Sequence, residues 1–273
     1  MFAPVTGKRA MTPNGEWGLA GKVAIVTGGG AAGDGIGNGR AACLLLARAG
    51  AHVLVVDRDL ALAERTVAMI AAEGGNAAAV SYDVTVSAQC AAMVADAVSR
   101  WGRLDCLDNN VGIGSRGTVV EENWARVMHV NVDTMFLACK HAIPAMIRTA
   151  GGGAIVNISS ISALRPRGLT AYSVSKGAVI ALTQAMAVDH GPDGIRVNCV
   201  FPGPVYTPMV YERGMTEQAR DTRRRASVLG REGTGWDIGA AVRFLLSDQA
   251  RFITGQVLGV DGGATLVGPS RAS

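Results

Sequence analysis

The chain has 273 residues, 49% of them hydrophobic and 18% charged, the profile of a globular protein with a sizeable core, either one large α/β domain or two small ones. Its formal net charge is +4, with the arginines dispersed apart from Arg223-Arg224-Arg225, a balance that argues for solubility and against a nucleic-acid partner. Cys43, Cys90, Cys106, Cys139 and Cys199 are odd in number and form no C-x-x-C pair, so neither disulfides nor a metal site is expected and a reducing cytoplasm is.

Residues 1–21 contain no apolar signal core and read as a flexible N-terminal arm, with the fold beginning at Lys22. No later stretch is apolar for long enough to span a bilayer, so no membrane association is expected. From Lys22 onward, β-branched runs at 22–27, 52–57, 78–84, 104–110, 154–159, 195–202 and 256–263 alternate with helical periods at 40–49, 60–73, 87–101, 122–149, 171–190 and 237–247. Continuous apolar strands separated by helices predict a parallel sheet buried on both faces. Right-handed crossovers wind such a sheet into a doubly wound α/β Rossmann fold, here with seven mostly parallel strands and helices on both faces. No internal repeat or linker divides residues 22–273, so they are expected to form a single domain. The polar, glycine-punctuated segment 203–236 breaks the rhythm where a strand ends and reads as a mobile helix-and-loop flap over the ligand edge of the sheet.

Thr27–Ala41, TGGGAAGDGIGNGRA, follows the first strand and opens the first helix. A helix N-terminus offers unpaired N–H groups and partial positive charge, and glycine lets a pyrophosphate approach the main chain. A second strand then ends at Asp57, twenty positions after Gly37, where a carboxylate can accept both hydroxyls of an adenosine ribose. This is the pattern of a dinucleotide-binding unit. The Asp57 carboxylate would repel the 2′-phosphate of NADP and Arg58 would attract it, but adjacent strand residues face opposite sides. Asp34 adds negative charge on the same flank, so NAD is expected ahead of NADP.

Tyr172 and Lys176 stand four residues apart on one face of the helical stretch 171–188. Alone, such a pair could be a satisfied core tyrosine beside a snorkelling lysine. The strand before it, however, ends in NISS, which puts the Ser159 and Ser160 hydroxyls at the same carboxyl edge as the glycines. With these motifs in this order, the chain from Lys22 to Gly263 resembles the short-chain dehydrogenase/reductase superfamily in its single-domain branch. Its stretched T-G-x-x-x-G-x-G lies at Thr27–Gly39, followed by Asp83-Val84, NNVG at 109–112, Asn131, the Y-x-x-x-K pair, PGPVYT at 202–207 and TGQVLGVDGG at 254–263.

That resemblance implies an oxidoreductase that interconverts a small-molecule secondary alcohol and a ketone. Tyr172 would be the general acid/base, and an ammonium at Lys176 would favour its phenolate and lower a pKa ordinarily near 10. Lys176 would also bond the nicotinamide ribose, Ser160 would hold the substrate oxygen and Asn131 would hold a proton-relaying water. Gly28, Gly30, Ile36, Gly37 and Asn38 would cradle the phosphates. Asp57 and Arg58 would meet the adenosine ribose, and Asp83 and Val84 the adenine. Asn110, Val111 and Gly112 would lie beneath that ribose, and Pro202, Gly203, Val205 and Thr207 would contact the nicotinamide.

Two departures stand out. The glycine fingerprint holds about five extra residues; its last G-x-G is either Gly35-Ile36-Gly37 or Gly37-Asn38-Gly39, and counting back from ARAGA favours the second. The interval to Tyr172 is standard from Ser159 and one residue short from Ser160; Ser160 is preferred because it closes the strand motif, and strand neighbours face opposite ways. Arg165 and Arg167 stand near the pocket mouth as candidates to receive an anionic substrate, and Met209, Tyr211 and Met215 suggest an apolar wall. The resemblance also implies a homotetramer, with the helices in 87–149 and 171–190 and the last strand between subunits. A catalytically idle nucleotide-binding sensor or scaffold is the alternative. An epimerase or dehydratase would need a larger C-terminal substrate domain than the chain beyond the flap supplies.

Overall fold

A computed structural model describes residues 17–115, 118–119, 123–166, 168–212 and 214–266. The apolar runs form β1 (Val23–Thr27), β2 (His52–Asp57), β3 (Asn76–Ser81), β4 (Cys106–Asn109), β5 (Gly153–Ile158), β6 (Ile195–Pro202) and β9 (Val257–Val260). These pair in parallel in the order β3-β2-β1-β4-β5-β6-β9. The fold is α/β and Rossmann-like, as the alternation of runs predicts. Strand order reverses between β1 and β4, and in open sheets of this kind the carboxyl ends beside the reversal form a crevice.

Each face of the sheet carries helices because each strand is apolar on both sides. All of β1 is buried, and burying one valine or isoleucine side chain contributes roughly 1.5–3 kcal/mol. On one face lie α1 (Asn38–Arg48), α2 (Leu60–Ala72) and α9 (Gly235–Leu246), packed through Leu46, Ile70, Ile238 and Val242. On the other lie α3 (Ser87–Trp101), α5 (Thr134–Ala150) and α6 (Thr170–His190), packed through Met93, Met146 and Met186. Among the described residues no helix is long and apolar enough to cross a membrane.

The structure departs from the sequence reading in four places. Residues 17–21 are not a loose arm: Leu19 is fully buried, the Arg243 guanidinium lies 3.8 Å over the Trp17 ring, and the Trp17 carbonyl accepts from the Asp248 amide. Residues 1–16 lie outside the described residues. The third strand ends at Ser81, before Tyr82-Asp83-Val84, because the Asp83 carboxylate accepts from the Thr85 amide (2.9 Å) and hydroxyl (2.7 Å) and turns the chain. The single helix expected at 122–149 is α4 (Trp124–Met128), a π-helical turn at His129–Asp133, and α5. The flap, finally, holds helices as expected, α7 (Pro208–Tyr211) and α8 (Glu217–Arg225), and adds two short strands, β7 (Val205–Tyr206) and β8 (Gly233–Thr234), paired in parallel.

Candidate active site

The carboxyl ends of β1, β4, β5 and β6 open into a cavity of about 630 Å³. At one end Gly37 is the N-cap of α1, in extended conformation. A Cβ on Gly39 would collide with the Gly28 carbonyl and the Asn110 side chain, so only glycine lets α1 start this close to the strand ends. This fixes the last pair of the fingerprint as Gly37-Asn38-Gly39. Gly28, Gly30, Gly37 and Asn38 line the cavity, as does Gly39, whereas Ile36 packs into the apolar layer beneath.

The inserted residues form a fixed loop. Arg40, fully buried in the first turn of α1, donates to the carbonyls of Ala31 (2.6 Å), Gly33 (2.7 Å) and Gly35 (2.8 Å), and from Nε to the Thr66 hydroxyl (2.9 Å). Asp34 forms an ion pair with Arg65 at 2.5 Å, with both side chains exposed. Asp57 at the end of β2 accepts from the amides of Gly30 (3.1 Å) and Asp59 (3.1 Å), and Arg58 lines the cavity. Asp83 spends its carboxylate on Thr85 and Val84 is buried in the second apolar layer; neither is on the cavity wall.

At the other end, α6 brings Tyr172 and Lys176 to the wall, one turn apart. The Lys176 Nζ lies 5.8 Å from the centre of the Tyr172 ring and donates to the Ile158 carbonyl at 2.9 Å. Gly112 leaves room for it: a Cβ there would stand 3.1 Å from the Lys176 Nζ. The two serines part as alternation requires. Ser159 donates to the main-chain carbonyl of Lys176 at 2.7 Å, while Ser160 accepts from the Ser162 amide at 3.1 Å and lines the cavity with Tyr172. Asn131, wholly buried in the π-helical turn, donates to Ser175 Oγ and to the Ile113 carbonyl (both 3.0 Å) and accepts from the Ile113 amide (2.8 Å). Asn110, Gly112, Pro202, Gly203, Val205 and Thr207 complete the wall, with Val111 packed beside Gly28.

Electrostatics differ from the expectation for the tyrosine. Burial holds the Tyr172 phenol above its ordinary pKa, with the nearby Ser160 hydroxyl pulling the other way, and burial lowers Lys176 to about 8. Arg165 is also placed differently: its guanidinium donates to the Ala264 carbonyl, tying the loop after β5 to the turn that follows β9. Arg167 lies outside the described residues. Of the expected apolar wall, Met209 lines the cavity; Tyr211 packs against the inserted loop instead, and Met215 is not on the wall.

Residues 29–265 match the family described as Enoyl-(Acyl carrier protein) reductase. 2-(S)-hydroxypropyl-CoM dehydrogenase 3 of Xanthobacter autotrophicus is 41% identical over 91% of this chain and 98% of that protein. Cyclopentanol dehydrogenase of a Comamonas species is 40% identical over 89% and 97%. A solved 7α-hydroxysteroid dehydrogenase, complexed with NADH and 7-oxo glycochenodeoxycholic acid, superposes with TM-score 0.84 at 33% identity, covering 90% of this chain and 94% of that one. The chain belongs to the short-chain dehydrogenase/reductase superfamily. Within this dehydrogenase/reductase, reading the sequence missed two residues at the site: the Asn131 partner Ser175 and the loop-holding Arg40 carried no signal beyond their neighbours.

Proposed function

We propose that this enzyme interconverts a secondary alcohol and a ketone using NAD(H), with Tyr172 as general acid/base. The single observation that carries the reading is the convergence of Tyr172, Ser160 and Lys176 on one end of a cavity whose other end is a glycine-lined helix N-terminus. The cavity is within the range of ordinary ligand sites, roughly 300–1,000 Å³, and the glycines at the α1 N-terminus that line it would let a pyrophosphate approach main-chain N–H groups. When bound, the nicotinamide would supply the hydride acceptor or donor.

The chain's own groups do the rest. Ser160, on the cavity wall with Tyr172, would hold the substrate oxygen, and Tyr172 would take its proton in oxidation or donate one in reduction. Lys176, with a pKa near 8, can gain and lose a proton at working pH and would bond a ribose. Asn131, with its side chain fully engaged, would fix the Gly112–Ile113 turn and, through its main chain, a relay water. NAD over NADP rests on the Asp57 carboxylate beside Gly30, although Arg58 on the wall lessens the discrimination. Five buried, unpaired cysteines favour a reducing cytoplasm. The apolar faces of α5 and α6 favour a homotetramer.

The experiment is a screen of secondary alcohols against NAD and NADP, followed by absorbance of the reduced cofactor, with Tyr172→Phe alongside. The variant should lose turnover by at least about 10²-fold, the lower range for general acid–base catalysis, while NADH affinity changes little. Turnover unaffected by Tyr172→Phe would refute the proposed role. An idle nucleotide sensor would bind NADH and oxidise none of the alcohols.

A further inference from the structure

The five-odd residues inserted in the glycine motif do not end at the cavity wall. They continue to the flap. A Cβ built on Gly35 would lie 2.5 Å from Pro208 Cγ and 2.5 Å from the Tyr211 hydroxyl oxygen, so the loop and α7 meet face to face. Both partners line the same cavity, the loop through Ala31 and Ala32 and the flap through Pro208 and Met209. The insertion and the flap therefore join across one rim of it.

Each side of this junction is braced from behind. On the loop side, Arg40 gathers the Ala31, Gly33 and Gly35 carbonyls. On the flap side, Tyr211 packs on Tyr206 with ring centres 4.9 Å apart, and Arg220 caps Tyr206 at 4.3 Å. Arg220 and Arg223 both pair with Glu232, whose side chain is 5% exposed, and Arg223 also donates to the Val205 carbonyl at 2.8 Å. A planar guanidinium held at several points loses little further freedom on bonding, so such braces are stiff. Tyr211 has no reason to be aimed at the loop for catalysis, since it touches none of Ser160, Tyr172 or Lys176 in any recorded hydrogen bond or ring contact.

We infer that the Gly35–Tyr211 junction is a latch, closed over the dinucleotide by the insertion, that sets how fast the cofactor leaves. The inference rests on the proposed cofactor site. A ligand lying along the strand ends from the α1 N-terminus to Tyr172 passes beneath this strap, and to escape sideways it must part Gly35 from Pro208 and Tyr211. Gly35 is the positioning residue because its missing side chain sets the separation. Its φ is not in the left-handed region, so alanine is tolerated by the backbone there and acts through the contact alone.

The test loads the whole protein with NADH, chases it with excess NAD and follows nucleotide fluorescence by stopped flow, on wild type, Gly35→Ala and Tyr211→Ala. Gly35→Ala should push the flap off the loop and Tyr211→Ala should remove the latch surface. Each is expected to speed NADH release about tenfold, since loosened contacts act mainly on dissociation rates, with the melting temperature little changed. Should Gly35→Ala fail to fold, Tyr211→Ala carries the test alone. If NADH binds but release rises less than threefold in the variants that fold, or slows, the latch is overturned while the site stands. If neither NADH nor NADPH binds the wild type, the cofactor site and the latch fall together.

Discussion

Asp108 is the residue whose chemistry least fits its place. It lies in β4 on the same side as Cys106, facing the apolar layer under α1 and α9, flanked in register by Val26 and Val156. Both carboxylate oxygens are buried without a hydrogen-bond partner among the described residues, and burial raises its pKa to about 8. Such a group favours the folded state only as the neutral acid. Its contribution is intact below the ordinary aspartate pKa of about 4 and is lost as pH climbs to about 8, at up to roughly 1.4 kcal/mol per pH unit. Asp108→Val, matching its neighbours, should therefore stabilise the protein by roughly 1–4 kcal/mol near pH 8, with the gain shrinking toward pH 4. Urea melts of both proteins at pH 5 and pH 8 test this; a gain that stays constant or grows at the acid end would remove Asp108 from the explanation. By contrast Tyr172, Lys176 and the split between Ser159 and Ser160 were legible, because helix period and strand alternation leave few places for those side chains. The direction of the tyrosine shift was not legible, because sequence names the charged neighbour but not the depth of burial.

Among the elements, the inserted loop shows how far local reading reaches. Its length could be counted in the sequence and its conformation could not, because the organising cation lies downstream in α1 and its carbonyl partners have no side-chain signature. Burial lowers the pKa of Arg40, its carbonyl and hydroxyl partners hold the guanidinium by direct hydrogen bonds, and the Asp34 charge opposes the shift. Arg40→Lys cannot reproduce the fork. It should cost about 3 kcal/mol or more, in the range for breaking a buried charged network, and raise amide exchange across residues 31–36. Equal stability, or unchanged exchange in that segment, would deny Arg40 its organising part. The break between α4 and α5 was hidden for a similar reason. The apolar period runs through it, and a π-helical turn inserts one residue's worth of twist without altering composition. That turn carries Asn131. The third strand slipped because Ala77, Ala78 and Ala79 give weak β preference, whereas Tyr82 and Val84 next to them look like strand and form the turn.

At the scale of the molecule, the parallel sheet with helices on both faces followed from the alternation of strands and helices, and what the chain leaves uncovered points beyond one copy. Phe136 and Ile147 stand eleven residues apart on α5, three helical turns and hence one stripe, and are 52% and 38% exposed. On α6, Val174 and Val188 are 44% and 77% exposed. A second group of exposed apolar side chains comprises Leu258 on edge strand β9 and Val228, Leu229 and Leu266 around the Gly262–Gly263 turn that follows it. Two distinct self-complementary surfaces are what a tetramer of dihedral symmetry requires, since each two-fold axis buries its own patch. Wild type should therefore scatter light as four chains, and Phe136→Glu with Val188→Glu should leave dimers held by the β9 side, because a charge buried in an apolar interface is not compensated. A wild-type monomer would rule out both interfaces. A double variant that remained tetrameric would free the α5 and α6 stripe from the assembly and leave its exposure to another cause.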